Sequence, residues 1–105
     1  MQRLKICLQE VPQIVTFCEQ NVPQNLRAKV CLAIEEYFTN YQKYTTKTKF
    51  IVTWQNNTLH CFYAGLPFNP QQTPANALGL TLLKNVGKSI HYKYYRNWNA
   101  LCIHF

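Results

Sequence analysis

Two hydrophobic periods alternate along this chain of 105 residues. Residues 3–8 set Arg3 and Lys5 against Leu4, Ile6 and Leu8, and a period of two predicts an edge strand. Over residues 12–21 the period changes. Ile14, Val15, Phe17 and Cys18 make the stripe of an amphipathic helix. Pro23 separates it from a longer stripe of Leu26, Val30, Ala33, Ile34, Tyr37, Phe38 and Tyr41, and a proline near that start suits a first helical turn. This second helix is expected to fray near Thr45 and Thr46, where β-branched residues begin.

Phe50, Ile51, Val52, Thr53 and Trp54 then read as a strand, Asn56 and Asn57 as a turn, and residues 58–63 as the returning strand of a hairpin. Pro67, Pro70 and Pro74 make residues 64–76 a long loop. Loops of about a dozen residues inside a compact domain are usually functional or mobile. A third helix is expected from near Ala77, with Leu78, Leu80, Leu82, Leu83 and Val86 apolar and Gly87 as its stop. Residues 89–95 alternate again, Asn97, Trp98 and Asn99 read as a turn, and 100–105 as a last strand. The order strand, helix, helix, hairpin, loop, helix, hairpin predicts a single domain over 1–105. Its expected class is α+β: a two-layer sandwich with a mixed sheet of about five strands and three helices on one face. Trp54 is expected in the core and Trp98, in a turn, as an exposed contact.

Composition narrows the function classes. A mass of 12.4 kDa leaves little room for a second domain. With 48% hydrophobic, 14% aromatic and 14% charged residues, disorder is excluded as the bulk description. No apolar run approaches the ~18 residues of a membrane helix, so no membrane partner is expected. The apolar stretch at residues 4–8 is too short and too interrupted for a signal peptide, which predicts a cytoplasmic protein. Cys7, Cys18, Cys31, Cys61 and Cys102 are odd in number and dispersed, the pattern of reduced, mostly buried thiols. With only His60, His91 and His104 beside them, zinc-finger spacing is absent. Eleven Lys and Arg against four Asp and Glu give a net charge of +7, which points to an anionic partner: nucleotide, nucleic acid or acidic protein. The basic residues form no run, so a solvated basic surface accounts for them as well as a nucleic-acid footprint does. The acids are Glu10, Glu19, Glu35 and Glu36, and there is no Asp. A mechanism that requires an aspartate is therefore excluded or rebuilt.

One segment carries a resemblance. Leu32-Ala33-Ile34-Glu35-Glu36-Tyr37-Phe38-Thr39-Asn40 resembles the N-box, usually L-A-V-E-E-x-x-T-N, of the RsbW-type anti-sigma-factor serine kinases. These are a branch of the histidine-kinase-like (GHKL) ATPases. Gly65-Leu66-Pro67-Phe68-Asn69-Pro70 looks like that family's G-P-P-F-D-P loop, and Ala77-Leu78-Gly79-Leu80-Thr81-Leu82-Leu83-Lys84 looks like G-L-G-L-x-L-I-R. Asn97-Trp98-Asn99-Ala100-Leu101 is similar to the late G-x-N-x-L turn and strand, so the likeness spans roughly residues 5–105 in family order. It implies a GHKL (Bergerat-type) fold with ATP and Mg²⁺ as cofactors. Glu36 would be the general base and Asn40 the magnesium ligand. Four residues apart on one helix, they share a face. An amide oxygen suits magnesium, and a carboxylate one turn away can orient or deprotonate a serine hydroxyl. Tyr63, Gly65, Ala77, Gly79, Lys84 and Asn99 fall on nucleotide-binding positions by the same resemblance. The helix starting near Ala77 would aim its N–H groups at phosphate, with Gly79 allowing close approach, and loop 66–76 would be the lid. The implied partners are a sigma factor, a STAS-domain anti-anti-sigma protein phosphorylated on serine, and a second copy of the chain.

The sequence departs from the family at four places. Tyr63 stands where an aspartate contacts adenine, Ala77 replaces the first glycine, Tyr44 a histidine and Lys88 an acid. Losing a charge-assisted adenine contact costs about 2–3 kcal/mol, roughly two decades of affinity. Two functions therefore stand beside the kinase. One is a catalytically inactive, nucleotide-free protein-interaction module. The other is a nucleic-acid binder, which rests on the net charge and on His91-Tyr92-Lys93-Tyr94-Tyr95-Arg96. That stretch fits an amphipathic strand as well, and nucleic acid is the least expected partner.

Overall fold

A computed structural model describes residues 6–7, 12–44, 50–67 and 86–105. Strand β1 is Ile6–Cys7, helix α1 Pro12–Asn21 and helix α2 Arg27–Tyr44. Strands β2 (Phe50–Gln55), β3 (Thr58–Ala64), β4 (Ser89–Tyr95) and β5 (Trp98–His104) follow. The sheet order is β1-β2-β3-β5-β4, and every neighbouring pair is antiparallel.

The GHKL-type sandwich is not what these residues form. The described residues contain two helices and an antiparallel sheet of four full strands, with the two-residue β1 at one edge. They do not fit a mixed sheet with three helices. The reason lies in the connections. Two-residue turns join β2 to β3 and β4 to β5, and such hairpins are antiparallel by construction, whereas parallel pairs need a crossover of a dozen or more residues. The third helix expected from Ala77 lies outside the described residues.

Local chemistry accounts for most boundaries. Helix α1 ends at Asn21, whose side-chain amide donates to the Phe17 carbonyl at 2.9 Å. The Arg27 guanidinium donates to the carbonyls of Val22 at 2.8 Å and Glu19 at 3.1 Å, filling acceptors that a helix end leaves open. Pro23 sits in the turn before α2, not in its first turn, and the helix starts at Arg27. The β2–β3 turn is Asn56-Asn57, both left-handed at φ 52° and 55°, the conformation of a type I′ hairpin turn. The β4–β5 turn is Arg96-Asn97, at φ 51° and 66°. Trp98 and Asn99 thus belong to β5 rather than to a turn.

Alternation places the core. Phe50, Val52 and Trp54, then Leu59, Cys61 and Tyr63, then Leu101 and Ile103 point inward and are buried. They form one cluster with Ile14, Phe17 and Cys18 of α1 and with Val30, Ala33, Ile34, Tyr37, Phe38 and Tyr41 of α2. Both helices therefore cover the same side of the sheet. No described helix is long and apolar enough to cross a membrane.

Candidate functional site

Three of the residues singled out by the sequence lie at one corner, where β3 ends. Tyr63, Gly65 and Asn99 meet there. Glu36 stands half-buried on α2, one residue before Tyr37. Asn40 is in the last turns of α2, and its side chain is outside the described residues, as are Ala77, Gly79 and Lys84 in full.

Tyr63 is fully buried. Its ring stacks on Phe50 at 5.6 Å and 13°, and lies 5.3 Å from the Tyr37 ring and 5.2 Å from that of Tyr41. The Tyr63 and Tyr37 hydroxyls share a hydrogen bond of 2.5 Å. Burial holds both phenols well above their ordinary value near 10.0, so both stay neutral at physiological pH.

Beyond Tyr63 the backbone is clamped by side chains. The carbonyl of Tyr63 accepts from the Asn99 amide at 3.1 Å, and that of Ala64 from the Tyr41 hydroxyl at 3.1 Å. The Gly65 carbonyl accepts from the Tyr94 hydroxyl at 2.9 Å, and the Leu66 carbonyl from the Asn99 amide at 3.1 Å. Four successive carbonyls are thus each held by a side chain. Asn99, buried completely, spends its own carbonyl on the Tyr92 hydroxyl. The Gly65 N–H donates to the Asn97 carbonyl at 3.0 Å, continuing the β3–β5 ladder one residue past the strand. Gly65 has φ 125°, a conformation that side-chain-bearing residues avoid, so glycine is required there.

These residues do not fit the adenine end of a nucleotide. An aspartate at position 63 would accept from an exocyclic amine; here a neutral phenol is engaged with Tyr37, and its ring fills the space against Phe50 and Tyr41. Asn99 is committed to backbone rather than to a ligand. Sequence reasoning missed the clamping tyrosines. The hydrophobic pattern places Tyr41 in the core and Tyr94 in a basic-aromatic strand, and neither feature foretells hydroxyls bonded to the carbonyls of Ala64 and Gly65.

The four described thiols are inert by environment. Cys18, Cys31, Cys61 and Cys102 are free. Burial, then the neighbouring Cys31 thiol, pushes Cys18 up to about 12, and burial alone leads the rise at Cys61. Among the described residues no three His, Cys, Asp or Glu side chains gather as a metal site. No protein-family profile and no curated protein matches this chain.

Proposed function

We propose that this chain is a nucleotide-free protein-interaction module that acts by binding rather than by phosphate transfer. The observation that carries the reading is Tyr63. By the resemblance, Tyr63 stands at the sequence position of the kinases' adenine-contacting aspartate; its phenol is buried, neutral and bonded to Tyr37. The carbonyl clamp adds support, because it commits Asn99, Tyr41 and Tyr94 to the backbone of residues 63–66 rather than to a ligand. By resemblance, the partners to try first are a sigma factor and a STAS-domain regulator.

Calorimetric titration with Mg-ATP, with ADP and GTP as controls, tests the reading. No heat and no thermal shift at millimolar nucleotide are expected. Micromolar Mg-ATP affinity, with magnesium-dependent serine phosphorylation that Glu36→Ala abolishes, would overturn it and restore the kinase reading.

A further inference from the structure

The sheet turns one side to the helices and the other away from them. Register assigns the outer side. Phe62, Ala100 and Lys93 lie in one cross-strand row, and Ala64, Trp98 and Tyr95 in the next. Lys93, Tyr95 and Arg96 are exposed, Tyr95 by 62%. No Asp or Glu occurs after Glu36, so β2 to β5 carry no carboxylate. The described acids Glu19, Glu35 and Glu36 all stand on α1 and α2, across the sheet. Among the described residues the outer side therefore presents exposed Tyr95, half-buried Phe62 and Trp98, and cations without a counter-charge, and a polyanion complements it.

The hairpin tips add an independent observation. Both turns of the sheet are left-handed at two positions. The first uses Asn56, a residue that tolerates that conformation; the second puts Arg96 at the same place. The fold asks for asparagine or glycine there, not arginine. Arg96 extends its guanidinium over the Tyr95 ring, 5.1 Å from its centre, at the rim of the outer side. Backbone strain of this kind clusters at functional sites.

We infer that the outer side of the sheet binds single-stranded nucleic acid, with bases stacked on Phe62, Tyr95 and Trp98 and phosphates against Lys93 and Arg96. Stacking requires exposed base faces, which a duplex hides and a single strand offers. This surface lies on the other face of the sheet from the Tyr63 side chain, though at the same end; the inference does not depend on the absence of ATP binding, and the two experiments read different ligands.

The test is fluorescence anisotropy of labelled single-stranded oligonucleotides, RNA and DNA, against the full chain. Saturable binding is expected. With two phosphate contacts, affinity is expected to fall about sevenfold between 50 and 200 mM salt. Tyr95→Ala is expected to weaken binding roughly 5- to 150-fold, the loss of one stacked base. Arg96→Asn relieves the turn, so it folds at least as well as the parent, and it is expected to lower the salt slope by about 0.7. Several results would overturn the inference: no anisotropy change at the highest soluble protein concentration, equal affinity for a duplex, affinity unchanged in both variants, or a dimer in sedimentation that Tyr95→Ala dissolves, which would give the surface to a second copy.

Discussion

Tyr63 and Tyr37 are 26 residues apart in sequence and share one hydrogen bond inside an aromatic cluster. Their ionisation is opposed by burial, and the sign of the consequence follows. Above pH ~10 the unfolded chain releases phenolic protons that the folded chain keeps. The stability from these groups is complete below that pH and is lost as pH rises beyond it. Tyr63→Phe removes one phenol. It is expected to cost about 1 kcal/mol at neutral pH, the net worth of one hydrogen bond, and to flatten the alkaline loss. Urea unfolding followed by circular dichroism at neutral and alkaline pH reads both. A variant whose stability falls with pH as steeply as the parent's would show that Tyr63 is not a group that titrates on unfolding. The helical stripe through Tyr37 was legible, yet what Tyr37 and Tyr63 do to each other was not. A motif records residue types along the chain, while this pair is made by the packing of α2 on β3.

At the scale of elements, the β4–β5 hairpin shows where local reading succeeds and stops. The alternation of residues 89–95 matches β4 as the structure has it, and the stripe over 12–21 matches α1. Asn56-Asn57 was a sufficient turn signal because both residues accept positive φ. The second turn was misplaced, because Arg96 carries no such signal and Asn97-Trp98-Asn99 offered two asparagines instead. Gly87 was read as a helix stop, but its requirement in the structure is spatial. A Cβ there would come 2.6 Å from Ile103 Cγ2 and 2.8 Å from the His104 carbonyl oxygen. That oxygen is itself fixed, accepting from the Lys88 N–H at 2.6 Å. The backbone cannot yield without breaking the bond that starts the hairpin. Gly87→Ala is expected to cost about 1–3 kcal/mol, the usual penalty of overpacking. Thermal unfolding measures it, at roughly 4–8 °C per kcal/mol for a domain of this size. An unchanged melting temperature would mean that the turn relaxes freely and that β5 does not hold it.

Across the whole molecule, the pairing and sense of strands that no hairpin joins were furthest from the sequence. Period two reports which side of a sheet a residue faces, not which neighbour its strand takes or in which sense, so a mixed sheet and the observed antiparallel one share the same pattern. What the pattern does determine is that every inward residue meets the same core. Phe50 sits at its centre: its ring lies 5.3 Å from Phe38, 5.3 Å from Tyr41, 6.3 Å from Tyr37 and 5.6 Å from Tyr63. It joins α2 to β2 and β3 in one contact set. Among the described residues the buried apolar side chains form a single cluster, so neither helices nor sheet has a second core to survive on. Unfolding is therefore expected to be two-state, with the helical far-ultraviolet signal and the fluorescence of buried Trp54 lost together. Phe50→Ala removes the ring that ties the two layers and is expected to cost about 3–5 kcal/mol. Because the loss falls on the shared core, both probes should move to lower denaturant by the same amount. Transitions that separate, with helix outlasting Trp54 or the reverse, would show that α1 and α2 hold together without the sheet and that the two layers do not fold as one unit.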